Sequence, residues 1–218
     1  MSRRNIMVIL GTRPEAVKLA PVIDVLRRSV TFQTTVLSTA QHRHMLDQVL
    51  DIFNIVPDHD LNIMKANQTI PDVTIACLKG VGRILSEEKP DLVLVQGDTT
   101  TVFASALASF YQRIPVGHVE AGLRTSDLFS PYPEEANRRL ASILTDLHFA
   151  PTTWAADNLK REGIAASRIH VTGNTVIDAL LTVACRPFDL SVNHPKISDF
   201  LKVISRLVLV TAHRRESF

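Results

Sequence analysis

Four runs in the sequence place a charged or titratable side chain directly after an apolar, β-rich segment. They are Gly11-Thr12-Arg13-Pro14-Glu15, Gln96-Gly97-Asp98-Thr99, Glu120-Ala121-Gly122-Leu123-Arg124 and Thr211-Ala212-His213-Arg214-Arg215. Glycine stands beside the group in the first three, where backbone must turn or come close to a ligand. A fifth run, Pro133-Glu134-Glu135-Ala136-Asn137-Arg138, brings paired carboxylates and an arginine to a helix start. Carboxylates take and return protons, and cationic groups hold an anion or stabilise one that is leaving. The set suits proton transfer on a bound anionic ligand without a cofactor. No G-x-G-x-x-G follows the first apolar run, which disfavours a tightly held nicotinamide, and no G-x-x-x-x-G-K-[ST] is present for P-loop phosphoryl transfer. Metal-ligand spacings are missing as well.

Each group also has a structural use. Asp98 suits the cap of a helix beginning near Thr100. Glu134 and Glu135 favour the dipole of a helix that starts after Pro133. Neighbouring helical residues point about 100° apart, so these two cannot both face one site. Glu134 shares a face with Arg138 and Glu135 with Arg139, and a surface ion pair is the default for at least one couple. Arg13 suits a loop ion pair, Lys18 an exposed helix lysine, and His118 a satisfied core histidine. His42 and His44 lie two apart, which on a helix sends them to different sides and argues against a metal pair.

The elements that must position these groups follow from apolar periodicity. Strands are expected at residues 6–10, 34–37, 92–95, 115–119, 147–149 and 169–172. Helices are expected from Pro14, through 45–53, and over 71–86, 100–111, 134–144, 152–161 and 176–183. Such alternation implies right-handed crossovers and a Rossmann-like, doubly wound parallel sheet covered on both faces. Ligands then bind outside the carboxyl ends of the strands, where the titratable groups cluster. One domain is expected over 1–186 and a linker with the first strand of a truncated second domain over 187–218. The latter holds a polar stretch at 187–195, a short helix near 197–204 and a strand at 207–210. A lone strand cannot satisfy its hydrogen-bonding ladder, so the tail from about residue 190 is expected to be poorly ordered or borrowed by a neighbouring chain.

A formal net charge of +2 and only short basic clusters, such as Arg27-Arg28 and Arg138-Arg139, give no reason to expect nucleic acid or a membrane as partner. Cys77 and Cys185 are isolated thiols, unlike the frameworks of secreted proteins, so a cytoplasmic location is expected. No apolar run approaches membrane-spanning length.

Taken together, these runs resemble the non-hydrolysing UDP-N-acetylglucosamine 2-epimerases. So do Thr39-Ala40-Gln41-His42, Pro115-Val116-Gly117-His118-Val119 and Thr172-Gly173-Asn174-Thr175-Val176-Ile177-Asp178-Ala179, and the match runs from about residue 6 to 218. The resemblance implies a two-domain GT-B arrangement with the active site between the domains, a homodimer, and no added cofactor. It implies interconversion of UDP-GlcNAc and UDP-ManNAc for cell-surface polysaccharide synthesis, by elimination of UDP to 2-acetamidoglucal and its re-addition. The C2 proton has no adjacent carbonyl to acidify it, so departure of UDP must lead. Inversion then needs carboxylates on more than one side of the ring. By motif match Asp98, Glu120 and Glu134 fill acid/base or charge-stabilising roles, and His213 meets the substrate near its phosphate. Arg13, Lys18 and Arg138 bind the nucleotide sugar. Gln41 and His42 match a region where some bacterial members bind a second, activating UDP-GlcNAc; His44 and Asn67 depart from the usual Gln and Arg there. Most uridine and diphosphate contacts in the family come from the second domain, so the 218-residue chain alone is expected to have little activity. Two other readings are a GT-B glycosyltransferase that needs an acceptor and a catalytically inactive remnant.

Overall fold

The computed structural model describes residues 3–41, 43–208 and 210, without the side chain of His44. The chain divides into two compact units, Met1–Leu181 and Thr182–Phe218. In the first, strands and helices alternate: β1 (Arg4–Leu10), α1 (Arg13–Arg28), β2 (Phe32–Ser38), α2 (Arg43–Ile52), β3 (His59–Asp60), α3 (Ile70–Glu88) and β4 (Leu92–Gln96). They continue with α4 (Thr100–Tyr111), β5 (Val116–Val119), α5 (Glu134–Leu144), β6 (Leu147–Ala150), α6 (Thr153–Arg161), β7 (Ile169–Val171) and the start of α7 (Val176–Ala184). The seven strands form one parallel sheet in the order β3-β2-β1-β4-β5-β6-β7.

β1 shows how the residue pattern builds the layers. Successive side chains of a strand point to opposite faces. Ile6, Val8 and Leu10 join one cluster with Leu19 and Ile23 of α1 and Leu46 and Val49 of α2. Met7 and Ile9 join the other, with Val81 and Leu85 of α3, Val102 and Ala106 of α4, and Ala141 of α5. A run apolar at every position is what a strand buried on both sides requires.

Helices lie on both faces, α1 and α2 on the first and α3, α4 and α5 on the second, as expected of a doubly wound sheet. A right-handed crossover from β1 to β2 puts α1 on one face, while crossovers running the opposite way from β4 to β5 and β6 put α4 and α5 on the other. Among the described residues no crossover helix falls over the first face of β4–β6. An apolar trough of ≈ 590 Å³ lies open there, lined by Ile6, Leu94, Val119, Leu147 and Phe149 with Leu26 of α1 at its side.

The second unit holds two short helices, α8 (Leu190–Asn193) and α9 (Pro195–Val203). The polar stretch is therefore not loop throughout: the Asp189 carboxylate accepts from the backbone N–H groups of Ser191 and Val192 and starts a turn of helix. The strand expected at 207–210 does not form at positions 207, 208 and 210, which have no neighbouring strand to pair with.

Candidate active site

Asp98 follows β4 and does not cap α4. That task falls to Thr99, whose hydroxyl accepts from Val102 N–H at 3.4 Å. The Asp98 carboxylate instead receives Nη2 of Arg138 at 2.5 Å, and its backbone carbonyl receives Nδ2 of Asn137 at 2.9 Å. Two residues of α5 thus clamp the β4–α4 loop. From below, His118 of β5 donates Nε2–H to the Gly97 carbonyl at 2.7 Å. A carbonyl only accepts, so Nε2 carries the proton, and Nδ1 is left buried without a partner. His118 is a half-satisfied core histidine that supports the turn bearing Asp98.

Glu120 follows β5 with a left-handed backbone, φ 65°. Its carboxylate accepts from Lys18 Nζ at 2.7 and 2.6 Å, from Gln96 Nε2 at 2.5 Å and from Asn174 Nδ2 at 3.0 Å. Helix α1, strand β4 and the loop after β7 therefore converge on one anion. Lys18 is not the exposed lysine its helical position suggested; its side chain is 23% exposed and its charge is spent on Glu120. A Cβ built on Gly97 would stand 3.9 Å from Glu120 Oε2, so the β4 loop and this carboxylate adjoin.

On α5 the two glutamates separate, though not as surface chemistry alone would have it. Glu135 is fully buried and pairs with Arg138 at 3.2 Å and Arg139 at 2.9 Å. No Glu134–Arg138 pair forms among the described residues; Arg138 bridges Glu135 and Asp98 instead. Glu134 keeps one carboxylate oxygen buried without a hydrogen-bond partner.

Glu15 is a buried carboxylate, 1% exposed. It accepts from Gly11 N–H at 2.5 Å, from Thr12 N–H at 2.9 Å and from the Thr99 hydroxyl. Burial pushes its pKa up to about 7, the nearby Asp98 adds to that, and the hydrogen bonds oppose it. Arg13 is exposed and takes part in no ion pair among the described residues. Gln41 accepts from the Thr101 hydroxyl at 2.8 Å. His42 and His213 lie outside the described residues.

Beneath the site His118 pairs in register with His148 of β6. His148 is fully buried, and burial first, then the neighbouring His118, lowers its pKa from 6.5 to about 4. A histidine with a depressed folded pKa contributes stability in full above 6.5 and loses it as pH falls toward 4. Glu15 has the opposite sign: raised from 4.5 to about 7, it contributes most below 4.5 and loses that as pH rises to 7. The two oppose each other across the interval they share. His148→Leu removes one side, so its urea midpoint should fall less steeply on acidification from pH 6.5 than that of the unsubstituted protein. Equal slopes would mean that His148 is not held neutral.

Asp98, Glu120 and Arg138, predicted from spacing and motif, are brought together at the carboxyl edge of the sheet, and Lys18 joins them through Glu120. The supporting residues Glu15, Gln96, Asn137 and Asn174 carried no predicted role. The available signal was their position, since Gln96 ends β4 and Glu15 and Asn174 sit just past β1 and β7. Among the described residues no cluster of three or more His, Cys, Asp or Glu is placed to hold a metal ion, and no helix is long and apolar enough to cross a membrane.

Comparison with known proteins bears on this geometry. Residues 24–218 match the family model described as UDP-N-acetylglucosamine 2-epimerase. The chain is 54% identical over 221 residues to the UDP-N-acetylglucosamine 2-epimerase of Escherichia coli K12, covering 98% of this chain and 58% of that protein. The chain thus spans little more than half the length of the curated relatives it matches. Among solved structures it is similar to the UDP-GlcNAc 2-epimerase of Neisseria meningitidis bound to UDP-GlcNAc, at 52% identity and a TM-score of 0.78, over 91% of this chain and 52% of that one. A Methanocaldococcus jannaschii UDP-GlcNAc 2-epimerase in complex with UDP-GlcNAc and UDP matches at 38% identity and a TM-score of 0.79, over 92% and 54% of the two chains. With a carboxylate-rich sheet edge of this form and relatives at this identity, the chain belongs to the UDP-N-acetylglucosamine 2-epimerase family.

Proposed function

We propose that this chain supplies the sugar-facing half of an active site that interconverts UDP-GlcNAc and UDP-ManNAc by elimination and re-addition of UDP. The observation that carries the reading is a pair of carboxylates with different partners on one sheet edge. Glu120 is held by Lys18, Gln96 and Asn174, and Asp98 by Arg138. Two carboxylates aimed by separate elements can serve the two faces of C2, which inversion requires. Glu134, with its unpartnered buried oxygen, is the third acid/base candidate, and Arg13, Lys18 and Arg138 are the cations that would hold the nucleotide sugar. His213, Gln41 and His42 belong to the same reading by motif alone.

In this proposal the whole protein has a GT-B arrangement, uses no added cofactor, and works in the cytoplasm on a precursor of cell-surface polysaccharide. It is a homodimer: α4 and α5, which pack together, leave Phe110, Tyr111, Leu140 and Ile143 exposed as an apolar patch. Sedimentation velocity tests that directly.

The function is tested by proton NMR of UDP-GlcNAc in deuterium oxide, read alongside amide shifts of the 218-residue protein. UDP-GlcNAc is expected to perturb the amides of residues 97–99, 120–122 and 134–138, with slow exchange or none at C2 in the absence of a second cleft wall. Loss of the C2 proton with UDP-ManNAc appearing would place catalysis on this half alone. Perturbations confined to other residues, or none at millimolar nucleotide sugar, would overturn the reading.

A further inference from the structure

Arg13 opens α1 just after β1, Asp98 stands in the loop after β4, and among the described residues their side chains make no hydrogen bond or ion pair with each other that fixes the spacing. Glu15 bridges those loops. One carboxylate oxygen takes the N–H groups of Gly11 and Thr12, and the other takes the hydroxyl of Thr99, 84 residues away in the chain. We propose that Glu15 is a positioning residue that locks the β1–α1 turn, from which Arg13 follows directly, to the loop carrying Asp98, so that cation and carboxylate hold one geometry. The proposal rests on the reading of Asp98 as an active-site carboxylate.

Helix capping alone does not account for Glu15. A glutamate three residues past a helix cap often reaches back to the cap N–H, which accounts for one oxygen of Glu15 and not for the other. Glu15 is buried, has no cationic partner among the described residues, and turns its second oxygen toward another element. A buried carboxylate without a counter-ion is costly, and a glutamine of the same shape could accept from both N–H groups and donate to Thr99. A titratable residue there links its protonation to whatever lies beyond Thr99.

The titratable groups facing Glu15 are Asp98, from the β4–α4 loop, and Cys77, from α3. Burial, with Glu15 contributing, pushes the Cys77 thiol up to about 11, so it stays protonated at neutral pH. His118, beneath Gly97, is held below 6.5 by burial and titrates on the acid side. Glu15, raised to about 7, is the group whose proton changes near neutrality.

The test uses the 218-residue protein without substrate. Amide shifts of Gly11 and Thr12 in one loop, and of Asp98 and Thr99 in the other, are followed from pH 5.5 to 8.5. All four are expected to move with one midpoint near 7. In Glu15→Gln the transition should vanish from both loops while signals of β1 and β4 stay in place. In Thr99→Val it should persist at Gly11 and Thr12 and vanish at Asp98, which keeps the test decisive even if Glu15→Gln fails to fold. A silent β4–α4 loop in the unsubstituted protein, or an unchanged midpoint in Glu15→Gln, would overturn the proposal and leave Glu15 as a helix cap. No nucleotide sugar is present, so neither outcome bears on the epimerase reading, and a failure of that reading would leave these midpoints unchanged.

Discussion

Replacing Glu120 by glutamine in the whole, two-domain protein of the proposal is expected to slow proton exchange at C2 of UDP-GlcNAc by about 10²–10⁴-fold, the usual worth of a positioned acid or base. The substitution keeps the side-chain shape, and one oxygen remains to accept from Lys18 or Gln96. It removes the basic oxygen, and it presents an N–H group to donors that already converge from Lys18, Gln96 and Asn174. It also leaves the half-buried Lys18 ammonium without a counter-charge, so some stability is lost with the chemistry. Exchange measured by proton NMR, with thermal unfolding of the same preparation, separates the two effects. A rate within a factor of about two of the unsubstituted protein would remove Glu120 from the reacting groups, since a true base is worth far more.

The second large effect is on the fold. Glu135→Ala is expected to destabilise the protein by about 3 kcal/mol in urea unfolding, near the lower bound for breaking a buried ion pair. The carboxylate is fully buried and answers two arginines. The cost is held to the lower bound because Arg139 is 42% exposed and can turn to water, and Arg138 keeps Asp98. The lost partner nonetheless leaves Arg138 with one carboxylate where it had two, and Asp98 is aimed through Arg138, so binding of the nucleotide sugar should weaken as well. Glu135→Gln, which keeps the volume and one of the two hydrogen bonds but turns its amide N–H group toward the other arginine's donors, should cost less than alanine without restoring the stability of the unsubstituted protein. A loss below about 0.5 kcal/mol for the alanine variant would place Glu135 among ordinary surface ion pairs.

Both predictions concern residues whose helix or strand was plain in the sequence and whose contacts were not. The extents of α4 (Thr100–Tyr111) and α5 (Glu134–Leu144) were legible because apolar periodicity and a preceding proline are local signals, although the cap of α4 is Thr99 and not Asp98. β3 was missed because His59-Asp60 is two residues long, with no apolar alternation, and exists only through its register with Leu37 and Ser38. Helical phase alone put Glu134 and Glu135 on different faces. Which face meets Asp98 depends on how α5 lies against the β4 loop, a long-range contact that no local window contains. For the same reason Lys18 read as an exposed helix lysine: its partner lies 102 residues away. Which helices cover which face was a matter of handedness, since strand order decides on which side each crossover falls. Strand order is not written in periodicity.

Glu120 also has a meaning for descent. A side chain with a Cβ held at φ 65° costs about 1 kcal/mol or more, and glycine or asparagine would rest there more easily. The backbone alone would favour those replacements, and the carboxylate's service to Lys18 and to the proposed reaction resists them. In a lineage that no longer needed the reaction, position 120 would be free to drift only together with Lys18, whose ammonium would otherwise be left without its counter-charge.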